Sequence, residues 1–486
     1  MKRRDFTKSS LVLGMGLMAG PVSGCQSGSD HQSEDYYEEP GKKLPARKFD
    51  VVVAGGGTAG VVAAIAAARQ GAKTVLIEMK GYPGGTITEG GTTLHSFFNT
   101  WKPFPGVKKR QVVKGIPNEI MERLDKIGGW CGFGDMLVGH RDSTNTVIDT
   151  ELYKLVAFEM LVEAGVYVCV NTLLVGAIKD GSRVRGVIAE SRAGREVFYA
   201  NSFVDCTAYG DLSSFAGADY SEPNDYSVAN AFGMGNVDID EIFKYLADRD
   251  GIREHAVGQR SGVDDMTIRV QGNFTVMPDE FLQEAKKIGI QSATTTIHDN
   301  YLMFVKSNMN LTVSPTDRDV VAKAELELRQ RQLRALSLFR NYFPGCEKAF
   351  IARTAPRLNI RRGRVIACDY DITNKDVMDA RHFDDDVFVY SYHDLTGYQV
   401  RDGGTYGIPY RALLPRGIEN LLVAGMLITS DYKAHQSTRN TVNCMGQGQA
   451  AGTAAALCAL KNKGTRDLRY GDLRDTLVKG GVYFEP

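Results

Sequence analysis

The chain has 486 residues, enough for two domains or one large domain with insertions. Its 58 Lys and Arg residues balance 58 Asp and Glu residues, and no basic tract stands out, which argues against nucleic-acid binding by bulk charge. Eight cysteines with no CxxC pair and no His/Cys cluster at metal spacing argue against a metal centre and predict mostly buried free thiols.

The first 25 residues form a leader. "KRRDFTK" is basic, Leu11 to Ala19 is apolar, and "VSGC" closes it. The apolar run is shorter than the roughly 20 residues that span a bilayer. Basic, apolar and small-residue zones in this order predict an export signal. Arg3-Arg4 followed by Asp-Phe resembles the twin-arginine type. "VSGC" resembles a bacterial lipobox, which makes Cys25 the expected lipidation site and first mature residue. A periplasmic or outer-surface location follows, with the lipid as the only membrane contact. Residues 26–46 are polar and acidic and read as a disordered tether.

A nucleotide-binding unit comes next, "FDVVVAGGGTAGVVAAIAAARQGAKTVLIEMKGYPGG". Asp50–Ala54 predicts a buried strand, Val61–Gln70 a helix, and Lys73–Ile77 a second strand ending at Glu78. Gly55, Gly57 and Gly60 form GxGxxG, with Thr58 and Ala59 between them. Gly55 permits a tight turn, Gly57 lets a pyrophosphate approach the backbone, and Gly60 permits close helix–strand packing. The helix N-terminus then offers free N–H groups to the phosphates. Glu78, 18 residues past Gly60, is placed to accept from both ribose hydroxyls.

"GYPGGTITEGG" follows, with Gly84, Gly85 and Thr86. Here the chain resembles the FAD-dependent oxidoreductase family of the glutathione-reductase-like flavoproteins, in which a Gly-Gly doublet passes close to the FAD pyrophosphate. Three later blocks extend the resemblance. In "VDCTAYGD", Asp205, Thr207, Gly210 and Asp211 match, while Ala208 and Tyr209 depart. In "RLNIRRGRVIACDY", Arg361, Arg364 and Tyr370 match. In the C-terminal block, a strand Leu421–Ala424 ends at Gly425, and "GQGQAAG" from Gly446 and Gln447 is expected to open a helix facing the flavin. The resemblance implies non-covalent FAD, since "GGTITEGG" has no histidine for a tether. It also implies that His393 takes a substrate proton and that Arg439 holds either a substrate anion or the charge of the reduced flavin. His435, near Arg439, is a further catalytic candidate. Arg361 and Arg364 are expected either to bind substrate or to bridge domains, and Asp394 is a substrate-side candidate.

The implied fold is α/β. A discontinuous Rossmann-like FAD domain, with a parallel sheet and a crossover β-hairpin or meander, occupies 47–100, 145–220 and 395–465. A cap of α+β texture occupies 101–144 and 221–394, and 466–486 form a tail. A hairpin is expected around Asp180-Gly181, and the helix beginning "RDVVAK" is expected to bury Val321, Leu326, Leu328, Leu333, Leu336 and Phe339. No second GxGxxG unit is evident, so electrons pass to or from an unidentified partner. The expected activity is hydride transfer between FAD and a small sugar, polyol or hydroxy acid. Reduction of an unsaturated substrate, and a non-catalytic FAD-binding electron relay, are the alternatives.

Overall fold

The computed structural model describes residues 39–90, 93–94, 97–99, 106–139, 146–291, 293–391 and 400–485. Arg3, Arg4, Cys25, His393 and Asp394 therefore lie outside the described residues. The chain divides into residues 1–43 and residues 44–486, and every element below belongs to the second unit.

Five parallel strands form the central sheet: β1 (Val51–Ala54), β2 (Thr74–Ile77), β3 (Tyr167–Cys169), β4 (Ser202–Asp205) and β5 (Leu421–Val423). Their spatial order is β5-β4-β1-β2-β3. The uninterrupted valines of β1 are wholly buried, as a strand covered on both faces requires. Helix α1 (Thr58–Arg69) makes the crossover from β1 to β2, and α2 (Thr441–Leu460) packs against α1. A second sheet, Leu173–Asp180, Arg183–Ser191 and Gly194–Tyr199 with Ala46–Lys48 at its edge, interrupts the path from β3 to β4. This is the expected crossover meander. Its turn is centred on Gly181-Ser182, because Asp180 pairs with Arg183.

Two antiparallel four-stranded sheets build the cap. One orders Ile290–Gln291, Tyr301–Met309, Val228–Gly235 and Phe350–Thr354. The other orders Ala293–Thr295, Val263–Gly272, Ile252–Arg260 and Asp135–Val138. The long helix Arg318–Tyr342 buries Leu328, Ala335, Leu336 and Phe339. Leu326 and Leu333 are instead exposed, at 61% and 62%. They lie seven residues apart, so they share one face, and each is roughly half a turn from the buried stripe.

Three expected boundaries shift. Helix Ile116–Asp125 packs Ile120, Met121 and Leu124 into the main core rather than the cap. Strand Asp386–Tyr390 pairs with Tyr406–Pro409, and both belong to that core. The C-terminal helix Tyr470–Lys479 buries Leu473 and Leu477 there too, so it is more than a tail. The seven described cysteines are free; Cys169 is half-buried and the others are buried. Among the described residues no helix is long and apolar enough to cross a membrane.

Candidate cofactor and active site

The glycine loop owes its shape to close backbone approach. Gly55 has φ +90°, and a Cβ there would lie 2.5 Å from the Cys206 carbonyl oxygen. Gly60 faces inward; its missing Cβ leaves room for the Gly55 carbonyl and, at 3.2 Å, Cβ of Cys206. Gly57 differs, because a Cβ on it would meet only Gly85 Cα at 3.9 Å. The space above it belongs to the cavity, not to packing. Gly57 caps α1 with no side-chain hydrogen bond and no acid in the first turn. The first N–H groups of α1 thus lack a side-chain cap, at the positive end of the helix dipole.

Glu78 directly follows β2 and is buried, 6% exposed. Its Oε2 accepts from Gly56 N–H at 2.7 Å and its Oε1 from Lys80 N–H at 2.9 Å. Each oxygen keeps a lone pair for a ligand hydroxyl. The doublet loop folds onto the first loop: Gly84 N–H donates to Gly56 O at 2.8 Å, and Thr58 Oγ1 donates to Gly84 O at 3.3 Å.

These groups face one cavity of about 850 Å³, lined among others by Gly55, Gly57, Thr58, Ala59, Glu78 and Gly85. That lies at the upper end of ligand sites, which span roughly 300–1,000 Å³. Thr86, Thr207, Gly425, Arg361 and Arg439 line it too. Thr207 is fixed by Asp205, whose Oδ1 accepts from its N–H at 3.0 Å and its Oγ1 at 2.7 Å. Gly425 has φ +113° and donates to Gln447 Oε1 at 2.7 Å.

Other expected site residues are placed elsewhere. Helix α2 begins at Thr441, not at Gly446. Gly446 faces the Phe388 ring, and Gln447 is wholly buried, donating to Thr438 O and Asn443 Oδ1 at 2.8 Å each. Neither lines the cavity; Asn440, Thr441 and Cys444 do. Asn440 turns its amide back to Gln436 O and Ser437 O, so α2 also presents an N-terminus without a side-chain cap. Gly60 and Gly84 shape the loops without lining the cavity.

Arg364 is a bridge. It donates to Tyr209 O at 3.1 Å and Asp211 Oδ1 at 2.9 Å, pairs with Glu222, and does not line the cavity. Arg361 does line it, anchored on Ser227 O at 2.5 Å. His435 is wholly buried and off the cavity. Its Nε2 bonds the Met426 carbonyl at 2.9 Å, so that nitrogen carries the proton, and its Nδ1 accepts from Tyr226 OH at 3.0 Å. Burial first, and then Arg362 and Arg439, push its pKa well below 6.5. It is a neutral structural histidine. Arg439 lies 5.4 Å from the Tyr226 ring centroid and donates to Gln436 Oε1 at 3.0 Å. Among the described lining residues there is no histidine.

Several lining residues escaped the sequence reading. Lys80 and Arg357 both pair with Glu89, Arg357 Nε at 3.0 Å. Burial, reinforced by Arg357, lowers the Lys80 pKa. Arg269 donates to Glu254 Oε2 through Nε at 3.0 Å and Nη2 at 2.8 Å, and both are buried. Only Lys80, two residues past Glu78, had a signal in sequence. Cys206 and Cys444 also line the cavity; burial raises both pKa values, Cys444 to about 12, so both stay thiols at neutral pH.

The chain is similar to known proteins. The family described as FAD dependent oxidoreductase matches residues 50–477. The 3-oxosteroid 1-dehydrogenase of Mycolicibacterium smegmatis is 37% identical over 86 residues, 18% of this chain and 14% of that protein. The enzyme of the same name from Mycobacterium tuberculosis is 36% identical over 86 residues, again 14% of its length. The chain thus spans a small part of these relatives. Among solved structures, a geranylgeranyl bacteriochlorophyll reductase-like protein from Thermoplasma acidophilum is 15% identical, with TM-score 0.47, over 90% of this chain and 85% of that one. The p-nitrophenol 4-monooxygenase of Pseudomonas putida is 11% identical, with TM-score 0.44, over 90% and 89%.

Proposed function

For a chain that belongs to the FAD-dependent oxidoreductase family, we propose hydride transfer between a small organic substrate, a sugar, polyol or hydroxy acid, and non-covalently bound FAD. The cofactor is FAD, and its cradle fits: two helix N-termini without side-chain caps, a buried acid and the open space over Gly57 surround one cavity. The N-terminus of α1 would hold the pyrophosphate, Glu78 the ribose hydroxyls, and the N-terminus of α2 a charge-accumulating ring edge. Bound FAD supplies a two-electron acceptor for hydride.

The observation that carries the reading is that the same cavity continues into a wall from the cap, including Arg269, Phe274, Phe304 and Lys306. Substrate and cofactor share one chamber. On this reading Arg361 and Arg439 orient the substrate, and Asp394 contacts it. His393 takes the hydroxyl proton as hydride leaves the carbon that bears that hydroxyl. Electrons then pass to a separate partner. Anaerobic addition of sugars, polyols and hydroxy acids to the yellow protein tests this: one class bleaches it, and failure of all three refutes the reading.

The leader completes the proposal. A large cofactor is loaded before export, and the twin-arginine route carries folded cargo, so Arg3-Arg4 and Cys25 place the enzyme on a lipid tether outside the inner membrane. Unchanged export of the loaded protein with Arg3→Lys/Arg4→Lys would refute it.

A further inference from the structure

Asp225, Tyr226 and Ser227 lead into the cap strand Val228–Gly235, and none of them lines the cavity. Each is nevertheless tied to groups at or beside it. Ser227 O accepts from Arg361, which lines the cavity. Asp225 pairs with Arg362 at 2.7 Å, and Arg362 also donates to Ser430 O at 2.6 Å. Tyr226 is held between these two anchors, its ring centroid 5.0 Å from that of Tyr432 and 5.4 Å from that of His435.

The hydrogen bonds of Tyr226 run in one direction. Nε2–H of His435 is committed to Met426 O, so Nδ1 of that ring can only accept. It accepts from the Tyr226 hydroxyl at 3.0 Å; the Tyr432 carbonyl, at 3.4 Å, is the more distant acceptor. Burial raises the Tyr226 pKa, so the hydroxyl keeps its proton. With that proton directed at His435, the phenol oxygen accepts in turn, from Gln436 Nε2–H at 2.8 Å. The amide nitrogen of Gln436 thus faces Tyr226, and its Oε1 faces Arg439, whose Nη2 donates to it at 3.0 Å. Gln436 is buried, so an amide turned the other way would set N–H against guanidinium away from solvent.

We propose that Tyr226 is a positioning residue: its hydroxyl orients the Gln436 amide, and that amide holds Arg439 at the cavity wall. The role rests on the reading of Arg439 as a group that orients substrate. Its test is phenylglyoxal labelling of arginines in the FAD-loaded full chain, mapped by peptide mass spectrometry. Arg466, which Asp369 holds and which does not line the cavity, is the internal reference. Tyr226→Phe keeps the ring and removes the hydroxyl. It should speed labelling of Arg439 about tenfold, the scale of one hydrogen bond to a charged group, with Arg466 labelling and FAD content unchanged. A carboxylate needs no orienting, because both its oxygens accept. Adding Gln436→Glu to Tyr226→Phe should therefore return Arg439 labelling to the wild-type rate, a rescue that general loosening of the fold would not give. With the compound that bleaches the flavin, Tyr226→Phe should raise KM more than it lowers kcat. Unchanged Arg439 labelling, equal acceleration at Arg466, failure of the Glu rescue or an unchanged KM overturns the proposal. If the labelling behaves as expected but no sugar, polyol or hydroxy acid bleaches the flavin, hydride transfer fails and the positioning of Arg439 by Tyr226 stands.

Discussion

Gly452 lies inside α2, away from the cavity lining, yet we expect Gly452→Ala to lower FAD affinity. In an open helix the change would stabilise by up to about 1 kcal/mol. Here a Cβ would lie 2.7 Å from both Cα and C of Ala63 in α1, and closer still to that residue's carbonyl oxygen. Carbon atoms in contact prefer roughly 3.5–4.0 Å, so α1 and α2 must separate by about 1 Å. Overpacking of this kind costs about 1–3 kcal/mol, which outweighs the helix-propensity gain. Because α1 carries Gly57, Thr58 and Ala59 to the cavity, the shift also displaces the phosphate-binding N–H groups. The assay pairs the melting temperature of the apoprotein with flavin retention after gel filtration. A lower melting temperature with weaker FAD retention is expected. A higher melting temperature with full FAD would refute the close-packing argument.

Further outcomes follow from single groups. Glu78→Gln puts an amide nitrogen against Gly56 N–H or Lys80 N–H; FAD Kd should rise about tenfold to hundredfold, measured by fluorescence titration. His435 is held neutral in the folded chain, so below pH 6.5 the unfolded chain binds a proton that the folded chain does not. Stability should therefore fall with falling pH below 6.5, by up to about 1.4 kcal/mol per pH unit, and His435→Gln should flatten that slope in denaturant titrations. Ala208 has φ +68°, a left-handed conformation that costs an alanine about 1–2 kcal/mol. Ala208→Gly should raise the melting temperature despite the added unfolded-state entropy, and a clear fall would contradict the strained turn.

The nucleotide unit was legible because its parts are consecutive. An apolar strand, three glycines, a helix and an acid at the next strand end lie within 30 residues and constrain one another locally. The start of α2 was misread for a related reason. Its glycines resemble a loop, but Gly448 and Gly452 are one helical turn apart and serve close contact with Ala59 and Ala63. Arg361 and Arg364 looked alike in sequence. Three residues apart, one faces the cavity and the other is claimed by Asp211, Tyr209 and Glu222.

By itself, then, the sequence determined the cofactor unit, the FAD family and the buried thiols, all of which rest on local pattern and hydrophobicity. Only the tertiary structure decided that His435 is a sealed, neutral packing residue. Only it placed Lys80 and Arg357 around one Glu89, and Arg269, Phe274 and Lys306 on one wall. Those residues come from distant strands and loops. Charge and shape complementarity between them is created by strand pairing and burial, which no local stretch of chain specifies.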